Sequence, residues 1–186
     1  MKPSEALELI AGAVPHGAGA WADLGAGEGT FTRALIEQLG PGSRVYAVDR
    51  DRRALATLER WAAKNRAPVF PVVADFTGPF DLPDAPVAGL DGVLLANALH
   101  FVSDAVLLLE RIAARLRPGG RLVIVEYDRR GPNPWVPYPI DAQRLPGLVA
   151  SAGFTPPTIT ARRPSAFGGD LYVAVAHARG SAEADS

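Results

Sequence analysis

A chain of 186 residues is the length of about one domain, and with 48% hydrophobic and 21% charged residues it can bury a core, which excludes a disordered or fibrous chain. The 19 Lys and Arg nearly balance the 20 Asp and Glu, and the net charge of −1 gives no strong electrostatic case for a nucleic-acid or acidic-membrane partner. The absence of cysteine excludes disulfides, thiolate nucleophiles and cysteine-based zinc or iron–sulfur sites.

Helices and strands are predicted to alternate along the whole chain. Phe31, Leu35 and Leu39 share one face of a helix, whereas segments such as 20–24 are short and nearly all apolar, as buried strands are. The predicted elements, in chain order, are a helix over 3–10, a strand over 20–24, a helix over 30–39, a strand over 44–49, a helix over 52–64, strands over 69–73 and 92–96, a helix over 105–116, a strand over 121–127, a helix over 141–152 and strands over 158–162 and 170–177.

This alternation predicts an α/β fold in which helices cover both faces of a mostly parallel, doubly wound sheet. The last two strands have no helix between them, so we expect them to be antiparallel neighbours. We predict one domain over residues 1–178 and a disordered tail over 179–186. No signal-like apolar stretch follows Met1, and no apolar run reaches the roughly 18 residues that span a bilayer, so we expect a cytoplasmic protein without a membrane segment.

A glycine-rich turn joins the first strand to the second helix and reads Asp23-Leu24-Gly25-Ala26-Gly27-Glu28-Gly29. In doubly wound sheets ligands bind at this turn, outside the carboxyl ends of the strands, although any tight strand-to-helix connection also favours glycine. The third small residue of a dinucleotide fingerprint would fall on Thr30, but the third glycine stands at Gly29. The carboxylate of Asp23 would repel a pyrophosphate and suits a cationic amino group. The turn therefore predicts a positively charged ligand rather than a dinucleotide.

This turn matches the pattern acidic–x–Gly–x–Gly–x–Gly, and on it the chain resembles the class I S-adenosylmethionine-dependent methyltransferases over about residues 20–177. It is most similar to the members that act on small molecules. The resemblance implies a Rossmann-like fold, S-adenosylmethionine as the cofactor, and cofactor contacts from Asp23, Gly25, Ala26 and Gly27.

The resemblance assigns five further residues to the cofactor, one position at a time. Asp49 ends the second strand, where the family binds both ribose hydroxyls with a carboxylate, although dinucleotide enzymes use the same position. Asp75 matches the acid for the adenine amino group, with the backbone N–H of Phe76 beside the ring, and is alternatively a loop-capping acid. Arg50 departs from the apolar residue that the family often has, and either stacks on adenine or points to solvent. Asn97 follows the fourth strand, which in the family passes the methionine end of the cofactor.

The candidate acceptor site follows the fourth and fifth strands. His100 is the only histidine near a predicted strand end, and it is either a general base for a hydroxyl or amine or a packed structural residue. Side chains alternate along the fifth strand, so either Tyr127 or the acids on each side of it should face the cleft. The proline-rich loop 132–139 carries Trp135 and Tyr138, which either form a wall or lid over the acceptor or pack as a strut. We predict no metal site.

These residues predict methyl transfer from S-adenosylmethionine to a small organic acceptor, with His100 as the catalytic residue and Tyr127, Trp135 and Tyr138 in contact with the substrate. Two alternatives stay open, an RNA or protein methyltransferase and a non-catalytic protein that binds the cofactor. The glycine spacing disfavours a nicotinamide oxidoreductase. The sequence names neither the acceptor nor the oligomeric state.

Overall fold

The computed structural model describes residues 1–128, 131–165 and 169–180. Its helices and strands, in chain order, are α1 (Pro3–Ile10), β1 (Ala20–Leu24), α2 (Thr30–Leu39), β2 (Arg44–Asp49), α3 (Arg52–Asn65), β3 (Val69–Val73), β4 (Leu90–Ala96), a single 3-10 turn (Leu99–Phe101), α4 (Ala105–Ala113), β5 (Leu116–Asp128), α5 (Leu145–Ser151), β6 (Thr158–Pro164) and β7 (Asp170–His177). Among the described residues, no helix is both long and apolar enough to cross a bilayer.

The seven strands form one sheet in the order β3-β2-β1-β4-β5-β7-β6. Strands β1 to β5 are parallel, and β7 runs antiparallel to both β5 and β6. The predicted α/β fold and its closing antiparallel pair are confirmed. Because the chain builds outward from β1 to β3 and then returns to place β4 on the other side of β1, the loops that follow β1 and β4 diverge. This divergence leaves a crevice at the carboxyl ends of the two strands.

The core lies on both faces of the sheet, which explains why the central strands are almost entirely apolar. Neighbouring residues of one strand enter opposite halves of the core, so Leu94 and Leu95 of β4 pack in different clusters, as do Val123 and Ile124 of β5. All four side chains are buried. The crevice therefore rests on rigid strands.

Several element boundaries differ from the prediction, most of all at β5, which begins at Leu116 rather than at residue 121, and in the helices before and after it. The helix predicted over 105–116 ends at Ala113, because Leu116 already pairs with Leu90 at the start of β4. The helix predicted over 141–152 begins only at Leu145, since the Asp141 carboxylate accepts the backbone N–H groups of residues 143 and 144 and holds a turn there. The predicted tail lies mostly outside the described residues, but the backbone N–H of Arg179 donates to the carbonyl of Gly153 at 3.0 Å.

Gly29 and Gly27 make a matched pair for testing the glycine-rich turn. Both have positive φ, 85° and 54°, but a Cβ on Gly29 would lie 2.3 Å from a methyl carbon of the buried Leu58, whereas nothing lies within 4 Å of a Cβ on Gly27. Gly29→Ala should lower the free energy of unfolding by roughly 2–5 kcal/mol and Gly27→Ala by about 1–2 kcal/mol. Denaturant unfolding measures both, and equal losses would contradict this packing.

Candidate active site

Three cavities open along the crevice, and Asn97 lines all of them. The Asp49 cavity, of about 420 Å³, is lined by Gly25, Asp49, Arg50, Asp75, Phe76 and Phe101 among others. The His100 cavity, of about 620 Å³, is lined by Asn97, His100, Phe101, Tyr127, Asn133, Trp135 and Val136. The Arg163 cavity, of about 460 Å³, is lined by Glu5, Thr30, Phe31, Tyr127, Arg163 and Leu171 among others. Residues that follow β1, β2, β4 and β5 thus line these cavities, and all three cavities share Asn97.

Asn97 has the geometry of a ligand contact. Its φ of 53° is left-handed, an uncommon conformation for a residue other than glycine. Its backbone N–H donates to the Val125 carbonyl at 2.8 Å, which fixes the turn against β5. The side-chain oxygen is buried and accepts no hydrogen bond from the described residues. Strained backbone and an unpaired buried acceptor both carry a free-energy cost, and such features cluster at functional sites.

Asp49 connects β2 to the glycine-rich turn. Its Oδ2 accepts the backbone N–H of Gly27 at 2.8 Å, and its Oδ1 accepts that of Asp51 at 2.8 Å. Each oxygen keeps a second lone pair, so the carboxylate can still accept two ligand hydroxyls. The glycine-rich turn lies close to the segment that follows β4, because a Cβ on Gly25 would lie 2.8 Å from Cβ of Ala98. Ala26 is buried, and its backbone N–H donates to the Val48 carbonyl.

Asp75, Phe76 and Arg50 lie together on the far side of the Asp49 cavity. Asp75 does cap its own loop, since Oδ1 accepts both the backbone N–H and the hydroxyl of Thr77, at 2.9 and 2.7 Å. These hydrogen bonds, together with the nearby Arg50 guanidinium, lower the pKa of Asp75. Arg50 is exposed and also lines the cavity. Asp75 is therefore a loop cap that also lines the cavity, and its contact with the adenine amino group stays a prediction.

Asp23 lies beneath the glycine-rich turn and is 1% exposed. The Thr32 hydroxyl donates to its Oδ2 at 2.6 Å. Burial raises the pKa of Asp23 to about 7, the Thr32 hydrogen bond lowers it in part, and the charge of Asp49 raises it further. Its predicted contact with a cationic amino group stays a prediction, since the carboxyl group is turned toward α2.

The raised pKa of Asp23 makes stability depend on pH. Between about pH 4 and pH 7 the unfolded chain loses this proton while the folded chain keeps it, so the contribution of Asp23 to stability is complete below pH 4 and is lost as the pH rises to about 7. Asp23→Asn should remove this loss of stability, which is at most about 4 kcal/mol when the pKa is raised from 3.8 to about 7. Denaturant unfolding at several pH values measures it, and parallel curves for the two proteins would contradict a buried, protonated Asp23.

His100 and Glu126 form a buried pair. Nδ1 of His100 lies 2.7 Å from Oε2 of Glu126, and the backbone N–H of His100 donates to Oε1 of the same carboxylate at 3.1 Å. The two residues are 3% and 1% exposed. His100 also lines its cavity and stacks at a tilt on Phe101, with ring centroids 4.3 Å apart. The sequence indicated Glu126 only as one of two acids in a strand. The pairing depends on the register of β4 with β5, in which Ala96 lies opposite Val125.

The structure shows which side chains at the end of β5 line the cavities. Tyr127 is half-buried and lines the His100 and Arg163 cavities. The acids point to the other face, where Glu126 contacts His100 and Asp128 accepts the Arg162 guanidinium and the backbone N–H of Ala142.

The loop after β5 forms one side of the His100 cavity. Oδ1 of Asn133 accepts the backbone N–H groups of Trp135 and Val136, both at 2.9 Å, and Val136 is buried. The backbone N–H of Tyr138 donates to the His100 carbonyl at 2.9 Å. Trp135 is 77% exposed and lines the cavity, whereas the Tyr138 side chain does not. The structure thus brings Trp135 and Tyr127 to His100 and leaves Tyr138 outside.

Comparison with known proteins identifies the family of this chain. A sequence model of the methyltransferase domain family matches residues 22–122, more than half of the chain. The chain is a class I S-adenosylmethionine-dependent methyltransferase by family. It is 36% identical over 135 residues to an uncharacterised methyltransferase of Mycobacterium tuberculosis (strain ATCC 25618 / H37Rv), an alignment that covers 73% of this chain and 51% of the relative.

Two further relatives show the range of the family. The crystal structure of Burkholderia thailandensis 1,6-didemethyltoxoflavin-N1-methyltransferase, with bound 1,6-didemethyltoxoflavin and S-adenosylhomocysteine, matches with a TM-score of 0.73 and 28% identity, over 96% of this chain and 78% of that one. The carboxy-S-adenosyl-L-methionine synthase of Geobacter metallireducens is 33% identical over 107 residues, 56% of this chain and 43% of the relative. The chain spans about half the length or less of the curated relatives named here.

The cofactor of this family is S-adenosylmethionine, and the residues present fit it. The Asp49 carboxylate has lone pairs for ribose hydroxyls, and the buried Asn97 oxygen needs a hydrogen-bond donor such as an ammonium group. The open space beside Gly27 lets a ligand approach the backbone of the turn.

Proposed function

We propose that this methyltransferase transfers the methyl group of S-adenosylmethionine to a small organic acceptor bound in the His100 cavity. One observation carries the proposal: a cavity of about 620 Å³ with aromatic walls and one histidine shares Asn97 with the Asp49 cavity. Its volume suits a small molecule. The Burkholderia thailandensis relative, which is named for a small-molecule methyl transfer, supports this class of acceptor.

The cofactor would occupy the crevice with its ribose at Asp49 and its adenine at Asp75 and Phe76. Its methionine end would lie at the turn residues Gly25 to Gly27 and at Asn97. When bound, it supplies an electrophilic sulfonium methyl group. Asp49 and Asn97 orient the ligand, and the aromatic walls around His100 exclude water from the reacting atoms, so that positioning and desolvation lower the barrier.

His100 would act on the acceptor. A hydroxyl or amine becomes a better nucleophile as its proton leaves, and a neutral imidazole within hydrogen-bond distance accepts that proton. Phe101, Tyr127 and Trp135 line the same cavity, and aromatic lining favours a flat, largely apolar acceptor. Arg50 would lie beside the adenine in the Asp49 cavity, and it takes no part in the methyl transfer.

The proposal is tested by incubating the protein with methyl-labelled S-adenosylmethionine and a panel of small phenols, N-heterocycles, amines and carboxylic acids. Mass spectrometry should find a methylated product and an equal amount of S-adenosylhomocysteine. Trp61→Ala serves as a control that should still methylate the acceptor, because Trp61 belongs to α3 and lines none of the three cavities. Methylation of RNA or protein substrates alone would contradict the proposal, as would cofactor binding without transfer to any acceptor.

Trp135→Ala should impair use of the acceptor without unfolding the protein. Because Trp135 is 77% exposed, its loss removes little buried surface from the fold but removes one wall of the cavity. We expect a rise in KM for the acceptor on the order of tenfold and a nearly unchanged melting temperature. Steady-state kinetics and thermal unfolding measure the two effects. A large fall in the melting temperature, with an unchanged KM for the protein that remains folded, would identify the loop as a strut.

A further inference from the structure

We propose that Glu126 is a positioning residue, whose carboxylate holds His100 in the tautomer with its proton on Nδ1 and so presents Nε2 to the acceptor. The inference rests on the proposed function, in which His100 accepts a proton. It assigns a role to a buried acid that the cofactor contacts leave unused.

The contacts of the carboxylate determine the tautomer. Oε2 of Glu126 lies 2.7 Å from Nδ1 of His100, and an ionised carboxylate has only acceptors, so Nδ1 must donate. Oε1 accepts the backbone N–H of the same residue at 3.1 Å. One side chain therefore orients both the imidazole ring and the turn that carries it. In a neutral ring with its proton on Nδ1, Nε2 holds the free lone pair.

The hydrogen bonds of Glu126 suit a carboxylate that only accepts, because the backbone N–H of His100 donates to one oxygen and Nδ1 lies within hydrogen-bond distance of the other. Asp128 is paired with the Arg162 guanidinium, whereas the Glu126 carboxylate lies against the His100 imidazole. A positive charge that develops on the imidazole is therefore stabilised at the place where it forms.

Nε2 of His100 is the atom available to the acceptor. It makes no hydrogen bond within the described part of the chain, and His100 lines the cavity together with Tyr127 and Trp135. In the transfer, a bond forms between the acceptor heteroatom and the methyl carbon. The carbon–sulfur bond breaks and its electron pair stays on sulfur. The proton of the acceptor passes to Nε2, and the resulting imidazolium faces the Glu126 carboxylate until the proton is released to water.

The tautomer can be observed directly by nitrogen NMR of the whole protein labelled at histidine. The chain has three histidines, and His100→Asn identifies the signals of His100. In mildly alkaline buffer, where neutral rings dominate, wild-type His100 should carry its proton on Nδ1. Glu126→Gln keeps one acceptor oxygen and places an NH2 group, which only donates, where the second oxygen was, so it cannot accept the two N–H groups of residue 100 at two oxygens. It should shift the ring toward the Nε2–H form, with His16 and His177 unchanged.

Kinetic measurements distinguish a Glu126 that positions His100 from a Glu126 that only packs in the core. With an acceptor that the wild type methylates, Glu126→Gln should lower kcat roughly tenfold or more, leave the affinity for S-adenosylhomocysteine within about twofold, and add little to the loss already caused by His100→Asn. A wild-type His100 with its proton on Nε2 overturns the inference even if the variant does not fold, and so does a tautomer shift without any change in kcat. These results differ from failure of the proposed function, in which the wild type methylates no small acceptor whatever the tautomer.

Discussion

His100→Ala is expected to lower turnover by about 10²-fold or more while leaving the affinity for S-adenosylhomocysteine nearly unchanged. A positioned general base contributes at least this factor to a rate. His100 lies on the acceptor side of Asn97, whereas the predicted ribose and adenine contacts lie on the other side, in the Asp49 cavity. Turnover with a methylated acceptor and calorimetric titration with S-adenosylhomocysteine measure the two quantities.

The alanine variant leaves the carboxylate of Glu126 buried without its partner, so it also lowers stability. His100→Asn is the better-matched variant, because its side-chain amide reaches the position of Nδ1 and can still donate to Glu126, but it has no group at the position of Nε2. The two variants should lose turnover equally and differ in melting temperature. An unchanged rate in His100→Asn would show that the histidine is structural.

Asp49→Ala should have the opposite effect and weaken cofactor binding about ten- to a hundred-fold. The charge-assisted hydrogen bonds that the carboxylate offers to ribose hydroxyls contribute roughly 1.5–3 kcal/mol. The same substitution removes the acceptor for the Gly27 N–H and loosens the turn against which the ligand lies. Calorimetry with S-adenosylhomocysteine gives the change in affinity.

Asp51→Ala is the control for this experiment. Asp51 caps α3 by accepting the N–H groups of Arg53 and Ala54, so its loss costs about 1 kcal/mol of stability. It is a neighbouring acid that does not line the Asp49 cavity. We therefore expect affinity close to that of the wild type. Equal affinities for Asp49→Ala and the wild type would show that Asp49 only supports the turn.

The sheet and the cofactor side of the site could be predicted because both depend on local patterns. The mostly parallel sheet follows from the alternation of helices and strands, and the carboxyl ends of parallel strands lie at one edge. Gly25, Asp49 and Asp75 each end or follow a strand, so their meeting at one crevice needed no knowledge of side-chain packing.

The acceptor side depends on contacts between distant residues. The pair of His100 and Glu126 requires the register of two strands and the path of the 3-10 turn, neither of which a single sequence specifies. The burial of Asp23 depends on how α2 packs, since the partner of its carboxyl group is Thr32. Tyr138 does not line the His100 cavity, and its contact with residue 100 is made by its backbone N–H.

The most direct test of the proposed cofactor and acceptor sites is a crystal structure of the protein with S-adenosylhomocysteine. We expect ribose hydroxyls on the Asp49 carboxylate, adenine beside Asp75 and Phe76, a polar contact to the Asn97 side-chain oxygen, and a sulfur atom that faces the His100 cavity. The proposed position of the cofactor is contradicted if the ligand lies in the groove between α2 and α3 that Trp61 lines. It is contradicted equally by a sulfur atom that points into the Arg163 cavity, away from His100 and Trp135.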